Sequence, residues 1–238
     1  INNTIGTNNN ALGHRSLYSN TTGVNNNAFG YNALYNNTIG SNNNAFGKES
    51  LTANTTGNYN SAFGDRSLYT NTIGTANSAF GFYALRNNTT GIQNTAVGYA
   101  ALQNNTVGGY NTAVGVVSLQ FNTGSNNTAV GYGSLYTNTT GAKNSAFGQY
   151  SLLYNNGGSN NSAFGYKALR LNTTNNNSAF GYLALTANTT GNSNSAFGFQ
   201  SLKVNTTGTA NSAFGINSLV ANTAGSNNNA FGTSALVS

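Results

Sequence analysis

Acid–base catalysis needs at least two titratable groups held within reach of one proton. Across 238 residues this chain offers His14, Glu49 and Asp65. They fall at the fourth or fifth position of the first, third and fourth copies of a short repeat, so turns of chain separate them. An ion pair or a solvated edge is the expected role for such groups. A serine nucleophile would need a base, and the one histidine has no carboxylate in its own repeat. Without cysteine, and with two carboxylates in all, neither a zinc nor a calcium site is expected. No helix is expected to follow any glycine turn, so no phosphate-binding loop forms. The residues point away from an enzyme and toward no cofactor.

Composition says the same. Only 4% of residues are charged, and proline, cysteine, methionine and tryptophan are absent. Eight cations against two anions give a net charge of +6, yet the cations are scattered from Arg15 to Lys203. Nucleic-acid proteins gather theirs on one face, so no nucleic-acid partner is expected. No apolar run is long enough to span a bilayer, so the chain is not expected to be membrane-embedded. No signal peptide is visible, and Ile1 and Ser238 both fall inside a repeat, which suggests a piece of a longer array.

The apolar residues keep a strict schedule. An Ala-Phe/Val/Leu-Gly tripeptide starts at Ala11 and recurs to Ala230, fourteen times, every 17 residues with two steps of 16. Counting that alanine as position one, position three is always glycine, position six Ala or Ser, position seven leucine and position ten asparagine. Position two is Phe in ten copies, and position eleven is threonine except at Asn156. Both shortened copies lose their residue between the position-ten asparagine and the next alanine. Turns tolerate deletions and packed segments do not, so the chain marks its own adjustable corner. Residues 1–238 read as a single repeat array with no separate domain.

Seventeen residues with Gly and Asn-Asn punctuation are too few for a helix–turn–helix repeat, and no 3.6-residue periodicity is present. Asn and Gly instead supply the positive-φ corners of tight turns. The expected fold is all-β, a parallel β-solenoid (β-roll) of about fourteen 17-residue rungs. Two short strands are expected per rung, one over Ser/Thr-Ala-Phe-Gly and one over Ala-Leu to Asn-Thr. At the β spacing of about 4.8 Å, fourteen rungs would extend on the order of 65 Å. Stacking like on like predicts a core of Phe29, Phe46, Phe63 and Phe80 with Leu34, Leu51, Leu68 and Leu85. Asn20, Asn37, Asn54 and Asn71 should form an amide ladder. The small residues at positions one and three lie opposite the phenylalanine. They are read as a contact surface between chains, with a tight bend inside one chain as the alternative.

The run NSAFGYKALRLNTT, with variants such as NTAVGYAALQNNTVG, resembles the repeats of phage-type tail-fibre and bacterial surface-fibre proteins. In those proteins such repeats often precede a self-cleaving C-terminal chaperone. The Ser-Ala-Phe-Gly and Thr-Ala-Val-Gly units are also similar to head repeats of trimeric autotransporter adhesins, which form left-handed parallel β-rolls. The resemblance covers the whole chain. It implies an extracellular, cell-surface or virion fibre that associates as a homotrimer; the period of 17 is longer than the usual adhesin-head unit.

Three surface features suit such a fibre. Tyr31, Tyr99, Tyr132, Tyr166 and Tyr182 recur at position four, either as a strip for a glycan or partner or as cross-rung stacking alone. The threonine row at position eleven (Thr21, Thr38, Thr55, Thr72) is either an ice-binding array or a brace for its own turn. Asn-x-Thr triplets beginning at Asn20, Asn54, Asn138 and Asn188 match glycosylation acceptors. The expected function is a structural or adhesive fibre shaft, with a glycan or cell-surface receptor as partner. The alternatives are an ice-binding solenoid and an end-to-end polymerising filament or matrix protein.

Overall fold

A computed structural model describes residues 4–237; the chain ends at Ile1 and Ser238 lie outside the described residues. Every described element is a three-residue strand, and the chain divides into two compact units, one running through Thr123 and the other from Gly124. The first holds β1 (Asn10–Leu12), β2 (Asn27–Phe29), β3 (Asn44–Phe46), β4 (Ser61–Phe63), β5 (Ser78–Phe80), β6 (Thr95–Val97) and β7 (Thr112–Val114). The second holds β8 (Thr128–Val130), β9 (Ser145–Phe147), β10 (Ser162–Phe164), β11 (Ser178–Phe180), β12 (Ser195–Phe197), β13 (Ser212–Phe214) and β14 (Asn229–Phe231). Within each unit consecutive strands pair in parallel and in register, Ala28 on Ala45 and Ala179 on Ala196. The fold is therefore the all-β parallel solenoid that the repeat implies, one rung per repeat.

The second strand of each rung is not a strand. Residues such as Tyr31–Asn36 form turns, because positions five and seven both adopt left-handed conformations, Asn32 at φ 53° and Leu34 at φ 51°. Two left-handed residues so close together fold the chain back instead of extending it. The segment is still laddered: Leu34 N donates to Ser50 O at 3.0 Å and Asn36 N to Thr52 O at 3.0 Å. Hydrogen bonding between rungs thus continues around a corner where the backbone is not extended.

Leucine in this conformation is the costly choice. All fourteen position-seven leucines, Leu17 to Leu236, take φ between 48° and 53°, where a Cβ crowds the following carbonyl at a cost of about 1–2 kcal/mol each. Leu34, Leu51, Leu68 and Leu85 are completely buried, and burying a leucine contributes about 1.5–3 kcal/mol. Burial outweighs the strain.

The phenylalanines correct the expected core. Ala28, Ala45 and Ala62 are completely buried, whereas Phe29, Phe46 and Phe63 are half-buried and Phe80 is 40% exposed. The strand therefore points its alanine inward and its phenylalanine outward. A rung must enclose a leucine, two asparagines and an Ala or Ser, and a phenyl ring has no room beside them. Only the leucine half of the expected Phe–Leu core is interior.

The same inversion removes the proposed chain–chain surface of small residues. Position-one alanines face the interior of their own chain. Position-three glycines are required by a close approach inside it: a Cβ on Gly47, at φ +140°, would lie 2.6 Å from the carbonyl oxygen of Gly64. The bend within one chain accounts for both invariant positions.

Candidate interaction surface

The buried asparagines set the frame on which every outward side chain is spaced. Asn37 Nδ2 donates to Asn20 Oδ1 at 2.8 Å, Asn54 to Asn37 at 2.8 Å, and Asn71 to Asn54 at 2.9 Å. Each also caps its own turn, as Asn37 Nδ2 does on Gly40 O at 2.9 Å. A second ladder runs beside the first, through the asparagine two residues before each alanine. Asn43 Nδ2 donates to Asn26 Oδ1 at 3.2 Å and Asn144 Nδ2 to Asn127 Oδ1 at 3.2 Å. The two ladders meet at the turn glycine, so that Gly40 O accepts from both Asn26 and Asn37. Numbering forward from each alanine hides this second ladder, because the two shortened copies shift its position. Counting backward from each alanine exposes it, from Asn9 to Asn228 without exception, because the deletions fall before it.

Outside this frame the position-two rings stack face to face. Phe29, Phe46, Phe63 and Phe80 follow at centroid separations of 4.7, 4.8 and 5.0 Å, with planes within 9° of parallel. In the second unit Phe147, Phe164, Phe180, Phe197, Phe214 and Phe231 continue at 4.6–5.1 Å. Each interior ring has both faces covered by its neighbours, so what it shows to solvent is its edge.

Position four forms a second outward column. Tyr31 stacks on His14 at 5.3 Å, Tyr99 on Phe82 at 5.7 Å, and Tyr166, Tyr182 and Phe199 stack in series at 5.3 Å. Tyr132 instead meets Tyr150 edge-on at 5.3 Å. Cross-rung stacking holds, and yet Tyr31, Tyr99, Tyr132 and Tyr182 remain exposed. Structural support and an open surface coexist in one column.

Two of the titratable residues pair with neighbouring rungs. Arg66 Nε donates to Glu49 Oε2 at 2.6 Å and Nη1 to the Tyr83 hydroxyl at 3.3 Å. The hydrogen bond to Glu49, then that to Tyr83, holds the Arg66 guanidinium protonated even above its ordinary range. Glu49 is thus an ion-pair partner one rung from Arg66, and His14 is a stacking partner of Tyr31. No cluster of three metal-ligating side chains exists among the described residues. Among them, no helix is long and apolar enough to cross a membrane.

Threonines at position eleven brace the turn. Thr21 Oγ1 donates to Thr38 O at 3.0 Å, Thr38 to Thr55 O at 3.1 Å, and Thr55 to Thr72 O at 3.1 Å. Their hydroxyl protons are committed to carbonyls of the next rung. The Asn-x-Thr acceptors fare similarly: Asn20, Asn54, Asn138 and Asn188 are buried, with amides held in the ladder. Neither a protein-family model nor a curated protein matches the chain.

Proposed function

We propose that this chain is a structural element without catalysis of its own, the shaft of an extracellular fibre borne by a cell surface or a virion. The observation that carries the reading is the direction of its bonds. Buried amides, threonine hydroxyls and backbone groups all tie each rung to the rungs before and after it, so tension along the stack falls on many parallel hydrogen bonds. Such a structure holds distance and gives a protease few unpaired segments. A receptor met along its flank would be held by many weak identical contacts, adding through avidity. The ice-binding alternative loses its support at the threonines, whose hydroxyl protons are already donated.

Electron microscopy of the purified chain, paired with timed proteolysis, tests this. Slender particles that survive protease for hours are expected. Compact particles, or digestion as fast as that of an unfolded control, would sink the reading. Long filaments would favour end-to-end polymerisation.

A further inference from the structure

We infer that the stripe formed by positions two and four in the second unit is a lateral interface for a second copy of this chain. This goes beyond the fibre reading and does not depend on it. Two outward columns lie on either side of the position-three glycine: Phe147, Phe164, Phe180, Phe197 and Phe214 in one, Tyr182, Phe199 and Ile216 among those in the other. From Val130 to Phe231 neither column contains Asp, Glu, Lys or Arg. Lys167, at the neighbouring position, lies 4.8 Å over the ring of Tyr166.

Three properties choose the occupant. Ring faces along the phenylalanine column are taken by neighbouring rings at 4.6–4.8 Å. A sugar binds aromatic residues by lying on a ring face, and the interior rungs offer only edges. Edges are apolar, and they suit another apolar surface that interdigitates with them. Area is the second property. Aromatic side chains carry about 150–250 Å², and Tyr182 and Phe199 are each 45% exposed. Seven position-two residues and five large position-four residues, Tyr132, Tyr166, Tyr182, Phe199 and Ile216, with Gln149 and Thr233 completing the second column, then present on the order of 800 Å², close to what one partner contributes to a stable interface. Pitch is the third. The stripe repeats once per rung, and a second copy has ridges and grooves at that same spacing by construction.

Light scattering across a concentration series, together with Tyr182→Glu/Phe199→Glu, tests the interface. The wild-type chain should exceed its monomer mass of 24.5 kDa, and the charged variant should return to that mass with its circular dichroism retained. Thr190→Glu/Thr207→Glu, placed at exposed positions away from the stripe, should leave the assembly intact. A wild type monomeric throughout overturns the inference, as does dissociation by the control pair but not by the stripe pair. Should the stripe variant unfold, tyrosine iodination of the wild type decides. Tyr182 and Tyr132 should be protected while the exposed Tyr59 reacts, and equal labelling counts against the interface. A monomeric but slender, protease-resistant particle would remove the interface and leave the fibre reading in place.

Discussion

Asn54 Nδ2 lies 2.8 Å from Asn37 Oδ1 and 3.0 Å from the carbonyl oxygen of Gly57, so one buried amide joins two rungs and closes a turn. Its own Oδ1 accepts from Asn71 at 2.9 Å. Both amide hydrogens and the amide oxygen are engaged. An apolar replacement therefore leaves groups on three neighbours short of a partner.

Asn54→Ala should accordingly destabilise the first unit by about 2–4 kcal/mol, the cost of stranding buried polar groups. Urea unfolding followed by circular dichroism measures it. A midpoint unchanged from wild type would mean that the ladder contributes nothing net.

Leu68→Ile conserves volume, and such swaps in ordinary cores cost less than about 1.5 kcal/mol. Here the residue sits at φ 50°, where a β-branched side chain is a genuine outlier. The substitution should cost at least about 2 kcal/mol, more than Leu68→Met at the same site. Thermal melts of the two variants give the order, and a milder effect for isoleucine would contradict the strain argument.

Two glycine substitutions should part company. A Cβ at Gly47 would sit 2.6 Å from a backbone oxygen, whereas at Gly157 the nearest neighbour is Thr140 Oγ1 at 3.5 Å. Gly47→Ala is expected to prevent folding of its rung. Gly157→Ala should change stability by less than about 1 kcal/mol, because it restricts the unfolded chain without a clash. Comparable losses from both would show that the close approach at Gly47 is not limiting.

Glycosylation should follow burial, not motif. Asn36 also begins an Asn-x-Thr triplet and is exposed, while Asn54 is buried in its ladder. Treating folded protein with an oligosaccharyltransferase should modify Asn36 and leave Asn54 bare, and denatured protein should accept at both. Mass mapping that finds a glycan on Asn54 of the folded chain would refute this.

Much of the fold was legible because a solenoid repeats its constraints. The period, the adjustable corner, the leucine column and the Asn20–Asn71 ladder all follow from invariance at fixed positions. Facing direction was misjudged at Phe29 and Ala28, since hydrophobicity alone sends the larger residue inward. The contrary signal was present: position one never varies, while position two accepts Val97, Val114, Val130 and Leu12. A tightly bounded interior tolerates one size, and an outward column tolerates several. The left-handed leucines left no such trace, because no local preference favours leucine there; tertiary burial alone imposes it. Of the outward surface, the tyrosine column was visible in the spacing. The edge-on presentation of the phenylalanines was not, since it depends on which way the rings turn.

The amide-to-amide bonds of both buried asparagine ladders run one way, each donating to the rung that precedes it, from Asn37 to Asn20 and from Asn43 to Asn26, while Asn26 also donates forward to Gly40 O. A completed rung therefore leaves amide oxygens turned toward the residues still to come. As the chain leaves the ribosome from its N-terminus, each wound turn is a docking template for the next. The contacts that template makes span only about one repeat of sequence, the regime in which folding is fast and propagates from neighbour to neighbour. Winding has a grain, and synthesis runs along it.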